Sequence, residues 1–255
     1  MQEGDPHHGV VFYVGGAGPV GNVGFLSVPT GLGDAGYRGR VEVFAWQGIG
    51  AAMDQVSISR NRGKAMELAQ FIRRQKHAHP QAPVDVIALS AGTGIASFAL
   101  GYLPEDVRVR NVVYLGCSMA ARYDLTPALK RMEGRLFNFH SDSDAVLGRI
   151  VPYTGTVDRS DASEGIAGLT GFRMPAHVAR DTTEQYSKVR NIPYHSRFAS
   201  TGYSGGHMDS TRREFIANYV APLLLNFNRD LGLNTSCPAP KAADSERRAQ
   251  TEPPA

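Results

Sequence analysis

Short apolar runs punctuate the chain: GVVFYV (Gly9–Val14), VEVFAW (Val41–Trp46), VDVIAL (Val84–Leu89), VVYL (Val112–Leu115) and LFNF (Leu136–Phe139). Each is bounded by glycine, proline or charge. Continuous runs of this length predict strands buried on both faces of a mostly parallel sheet. Between them the apolar spacing becomes helical. Asn61–Ala78 repeats Ala65, Leu68, Ala69 and Ile72, and Gly94–Leu103 leaves the third run directly and stops before Pro104. Leu125–Met132 predicts a short helix. Thr211–Asn228 predicts a long amphipathic one, with Phe215, Ile216, Tyr219, Val220, Leu223 and Leu224 on its apolar face. Alternation of strand and helix implies an α/β fold, a doubly wound sheet flanked by helices.

The pattern occupies residues 9–231 and contains no repeat, so a single domain is expected. Residues 1–8 form a polar leader. From Leu233 the composition turns to Pro, Ala, Ser and charge, which predicts a disordered tail over 232–255. Of the 255 residues 42% are hydrophobic and 20% charged, an ordinary balance for a globular chain. The net charge of +3 is small and scattered, giving no reason to expect a nucleic-acid partner. Arg60, Arg62, Lys64, Arg73, Arg74 and Lys76 gather on one segment and read as a solvated helix face. No run approaches the ~18 apolar residues of a membrane span. The leader lacks the apolar centre of a signal peptide, so the chain reads as cytoplasmic, or as exported with its own leader removed and a start Met added. Cys117 lies in an apolar run and Cys237 in the tail, which implies free thiols and no disulfide framework. Oligomeric state is left open.

The stretch VDVIALSAGTGIASFAL (Val84–Leu100) carries the chemistry. A buried strand runs into Ala88-Leu89-Ser90-Ala91-Gly92 and then into a helix. A serine at so sharp a turn has a strained backbone and an exposed hydroxyl, and the residues two before and two after it must be small. Ala88 and Gly92 meet that need. This pentapeptide resembles the G-x-S-x-G elbow of the α/β-hydrolases, with Ala88 in place of the first glycine.

The resemblance implies that Ser90 is a nucleophile and that an acid and a histidine follow it in that order. The strand at Arg135–Phe139 leads into HSDSDAV, where Asp144 best matches the family's acid; Asp142 and Asp124 are the alternatives. GYSGGHM (Gly202–Met208) precedes the last helix and places His207 where the family carries its base, with His195 as runner-up. Gly205 and Gly206 permit the tight path this requires. The oxyanion hole would use the N–H of Ala91 together with Gly16 or Ala17 from Gly15-Gly16-Ala17-Gly18. The resemblance thus implies the α/β-hydrolase fold without a large lid domain, since Cys117–Gly134 is too short for one. It implies a carboxylesterase acting on a small-molecule ester, without cofactor or metal. Thioesterase, amidase and lipase chemistry remain open. Trp46, Met119 and Tyr203 line an acyl pocket or belong to the core, and Ser160–Met174 is a loop excursion bordering the cleft.

Two other readings compete. Gly16-x-Gly18-x-x-Gly21 follows a strand and has the form of a dinucleotide fingerprint, which would make the protein an NAD(P)-binding oxidoreductase. Glu42 sits early in the second strand, however, where the ribose-binding acid belongs at its end. The other alternative is a catalytically silent hydrolase fold used for binding.

Overall fold

The computed structural model describes residues 4–18, 22–46, 58–149, 151, 155–160, 162–175, 180–225 and 237. Gly21, residues 226–228 of the predicted last helix and all of the tail except Cys237 lie outside them. In chain order the elements are β1 (Val10–Val14), α1 (Ser27–Asp34), β2 (Arg40–Phe44), α2 (Ile58–Ala78), β3 (Val84–Leu89), α3 (Gly92–Gly101), β4 (Val112–Leu115) and α4 (Thr126–Leu129). They continue with β5 (Leu136–His140), α5 (Ala145–Arg149), α6 (Ala167–Thr170), α7 (Arg180–Tyr186) and β6 (Val189–Pro193). A last helix, α8, runs from Arg213–Phe215 through a π-helical turn, Ile216–Val220, to Ala221–Leu225. Pro222 lies just beyond that turn. It has no N–H to donate, which explains why the regular ladder expected for Thr211–Asn228 gives way there.

The strands form one parallel sheet in the order β2-β1-β3-β4-β5-β6. Alternate side chains enter two cores. Val10, Phe12, Val14, Val84, Val86 and Ala88 pack with Leu68, Ile72, Ile95 and Ala99 of α2 and α3. Val11, Tyr13, Ile87 and Leu89 pack with Val28 and Leu32 of α1 and with Phe215, Ile216 and Leu223 of α8. Burial on both faces is the reason the strands read as unbroken apolar runs.

Among the elements beyond the sequence pattern, α1 and β6 show why. The segment SVPTGLGD forms α1 despite a proline and two glycines. Its Val28 and Leu32 are fully buried, so packing outweighs weak helix propensity. VRNIP forms β6, where Asn191 breaks the apolar run yet is buried, because its side chain bonds both N–H and C=O of Phe172.

The basic segment mostly lies along α2. Lys64 bonds Glu67, Arg60 donates to the carbonyl of Trp46, Arg74 stands over the Phe71 ring, and Lys76 reaches the carbonyls of Pro80 and Ala82. Lys64, Arg74 and Lys76 thus serve their own helix and its C-terminal end, while Arg60 ties its start to the segment after β2. Among the described residues no helix is long and apolar enough to cross a membrane.

Candidate active site

All strands point the same way, so their carboxyl ends share one edge. From β1 the chain moves to β2 on one side and to β3 on the other, and ligands of open α/β sheets bind where the order reverses in this way. Gly15 follows β1 and Ser90 follows β3, one on each side of that crevice.

Ser90 is held in the left-handed region at φ +53°, which for a residue with a Cβ costs about 1–2 kcal/mol. Its N–H donates to the carbonyl of Leu115 at 3.0 Å. Its carbonyl accepts from the N–H of Thr93 at 3.0 Å and from Thr93 Oγ1 at 2.6 Å. The turn is therefore pinned at both ends of the serine. Gly92 allows the helix to begin there: a Cβ at that position would lie 2.3 Å from the Gly15 carbonyl oxygen and 2.5 Å from that of Val14. Ala88, in mid-ladder between Val14 and Tyr114, is fully buried, so a methyl group fits where the family's first glycine stands.

Asp144 lies beyond β5 and caps α5, its Oδ1 accepting from the N–H of Leu147 at 3.0 Å. Its Oδ2 faces His207 Nδ1 at 2.7 Å, both side chains almost wholly buried. His207 enters from the loop after β6, where Gly205 has φ +93° as the sequence reading required. Asp209 closes that loop through the N–H and hydroxyl of Ser204. His207 Nε2 is buried and has no hydrogen-bond partner; Ser90 Oγ is not bonded to it in this structure. In ligand-free sites that bond is often long.

Gly116 links the two halves. It follows Leu115, the acceptor for Ser90, and a Cβ on it would lie 2.9 Å from His207 Nδ1 and 3.3 Å from Asp144 Oδ2. With φ +52° it is in any case a glycine position. The imidazole–carboxylate pair rests on this bare backbone, one residue from the point where the serine is tied down.

The alternative residues are engaged elsewhere. Asp142 is exposed and accepts from Ser143 Oγ. Asp124 accepts from the N–H of Thr126 at 2.9 Å at the start of α4. His195 Nδ1 accepts from the N–H of Arg197 at 3.1 Å in the turn after β6. Ala91 heads α3, where the first amides have no acceptor inside the helix. Gly16 and Ala17 belong to the loop across the crevice, and the carbonyl of Gly15 just before them accepts from Trp46 Nε1 at 2.8 Å.

Trp46, Met119 and Tyr203 belong to the cores, not to an open pocket. The excursion after β5 is fastened to the sheet's carboxyl edge. Asn138 donates to the Ala167 carbonyl, Asp158 accepts from the N–H of Ala120, and the N–H of Val157 donates to the carbonyl of Ser118. Thr93, Gly116 and Trp46 are the residues of this region whose roles the sequence reading did not foresee. For Thr93 a signal existed, a hydroxyl three residues after the elbow serine on the helix's first turn. Gly116 and Trp46 act only through contacts between segments distant in sequence.

No protein-family model matches this sequence, and no curated protein matches it. Among solved structures the chain is similar to lipase B of Aspergillus fumigatus, with a TM-score of 0.51 and 14% identity over 89% of this chain and 55% of that one. The fold is that of the α/β-hydrolases. The chain spans about half the length of that lipase, and at this identity the likeness is one of fold. The α/β-hydrolase order of strands also differs from the dinucleotide-binding order 3-2-1-4-5-6. Glu42 lies in the middle of β2 and pairs with Arg40, away from the strand end where a ribose would be held. The dinucleotide reading therefore loses both its topology and its acid. Among the described residues no group of three or more His, Cys, Asp and Glu side chains is arranged to hold a metal ion.

Proposed function

We propose that the protein is a serine hydrolase that cleaves a carboxylic ester by acyl transfer to water through Ser90, His207 and Asp144. The observation that carries this reading is the buried His207–Asp144 pair, oriented at Nδ1 and open at Nε2, resting on Gly116 beside the strained serine.

Asp144 Oδ2 keeps the proton on His207 Nδ1, which makes Nε2 the basic nitrogen. Ser90 Oγ attacks the ester carbonyl carbon as its proton passes to Nε2. The carbonyl oxygen becomes an oxyanion held by the N–H of Ala91 and a donor from the Gly16–Ala17 loop. The carbon–oxygen bond to the alcohol then breaks, and the imidazolium returns its proton to the departing oxygen. Water repeats the sequence on the acyl-enzyme, releasing the acid and restoring Ser90.

Phe25 and Leu26, between the β1 loop and α1, and Met208, next to His207, are exposed large apolar side chains. They favour an ester with an apolar acyl or alcohol group. The test is turnover of a p-nitrophenyl ester series by wild type and Ser90→Ala. Hydrolysis abolished by the substitution supports the reading. Hydrolysis that persists in Ser90→Ala overturns it, as does its complete absence in folded wild type.

A further inference from the structure

We infer that Phe25, Leu26 and Met208 form a subsite for the alcohol half of the ester and select a long apolar alcohol over a short one; this rests on the proposed function. A single exposed apolar side chain is ordinary, whereas three on one rim make a patch, and Leu26 is 73% exposed. Hydroxyl groups join the two segments that carry them. Ser27 Oγ donates to the carbonyl of Thr211 at 2.6 Å, and Thr211 Oγ1 donates to the carbonyl of Met208 at 2.8 Å. Ser210 Oγ donates to the carbonyl of His207 at 3.2 Å, and Thr30 Oγ1 donates to that of Leu26 at 2.7 Å. The start of α1 and the turn that carries His207 are therefore one bonded unit at the sheet's carboxyl edge. Beneath it the Tyr13 hydroxyl donates to the carbonyl of Val23 and fills the space a Cβ on Gly24 would need. A hollow of about 490 Å³ opens between Asn22, Gly24, Phe25, Leu26 and Ser27, a volume suited to a small organic group.

The mechanism assigns the occupant. His207 Nε2 returns its proton to the departing oxygen, so the alcohol oxygen lies against the imidazole and its chain continues past it. Met208 is the next residue, and the ridge at Phe25 and Leu26 is fixed to it. The acyl chain is a separate substituent of the carbonyl carbon and leaves it in another direction. No charged side chain lines the hollow, so an apolar chain gains there what a charged one does not. A CH₂ moved wholly out of water is worth about fourfold in binding, and on a ridge that covers one side of the chain about twofold.

The test compares wild type, Leu26→Ser and Met208→Ser on two ester series: acetates of ethanol to hexanol, and ethyl esters of acetic to hexanoic acid. Ethanol and hexanol are similar leaving groups, so a trend along the first series reports contact with the chain. Each trend is a ratio within one protein and is independent of how much of a variant is folded. The inference expects kcat/KM to rise about tenfold from ethyl to hexyl acetate in wild type and about twofold or less in each variant, with the acyl series keeping its wild-type trend. The same subsite receives an acceptor alcohol. Its oxygen attacks the carbonyl carbon of acetyl-Ser90, its proton passes to His207 Nε2, and Ser90 Oγ departs with that proton as the restored hydroxyl. With p-nitrophenyl acetate as donor, wild type should therefore form hexyl acetate over ethyl acetate by about tenfold at equal alcohol concentrations, and the variants by about twofold or less. A flat alcohol series in wild type, an alcohol trend that survives both substitutions, or a loss confined to the acyl series overturns the inference while Ser90-dependent hydrolysis stands. If no ester of either series is hydrolysed in a Ser90-dependent way, the serine-hydrolase reading fails first and this inference with it.

Discussion

Asp85 and Asp144 are both buried carboxylates placed by one sheet, Asp85 near the amino end of β3 and Asp144 beyond the carboxyl end of β5. Asp85 is saturated. Arg110 meets it with Nε at 3.1 Å and Nη2 at 2.5 Å, and the N–H of Asn111 adds a third bond at 2.9 Å. Asp144 is bonded at both oxygens, by Leu147 N–H and His207 Nδ1, but its partner is not: Nε2 of the imidazole is buried and unmatched. Leaving a buried polar atom unpaired costs about 1–3 kcal/mol, so one pair is built to be closed and the other is built with an open end. The difference separates a closed ion pair from a carboxylate–imidazole pair with an unmatched nitrogen, although both carboxylates are buried.

Substitutions should pull the two pairs apart. The largest effect expected is on turnover: Ser90→Ala and His207→Ala each lower kcat by about 10⁶-fold, some 8 kcal/mol, and Ser90→Ala does so with little change in thermal midpoint. Asp144→Asn follows at about 10⁴-fold, because the amide no longer holds the proton on Nδ1. Asp85→Ala inverts the pattern. Breaking that pair strands Arg110 and costs about 3–5 kcal/mol in urea unfolding, while kcat per folded molecule stays at the wild-type value.

Smaller effects sharpen the boundary between the regions. Gly116→Ala forces a Cβ into the left-handed region and against Nδ1 of His207, so it should lose about 1–2 kcal/mol of stability and about tenfold in kcat together. Cys117, one residue further on, should be silent. Burial pushes its thiol up to about 12, so at pH ~8 it remains protonated and iodoacetamide leaves esterase activity intact.

Much of this was legible in the sequence where local and global demands coincide. The strands at Val10–Val14, Val84–Leu89 and Val112–Leu115 are apolar because both faces are covered, and the Ser90 turn is written in neighbouring small residues. The order of Asp144 and His207 after the serine was equally readable. What was hidden depends on contacts between distant segments. Asp144 is buried against His207 whereas Asp142, two residues earlier, is exposed, a difference that sequence alone does not show. α1 exists because α8 covers it, not because its residues favour a helix. The longest crossover, 141–188, carries the excursion, whereas the segment before β5, Cys117–Gly134, is shorter. Trp46 reads as an apolar residue closing a strand pattern; only the fold brings its N–H to Gly15.

The most direct test of the account is fluorophosphonate labelling of the pure, folded protein, read by intact mass and peptide mapping, with His207→Ala alongside. The account predicts one phosphonyl adduct on Ser90 in wild type and none in the variant over the same time. No adduct, or an adduct on another residue that survives His207→Ala, would contradict the claim that the open end of the Asp144–His207 pair serves this serine.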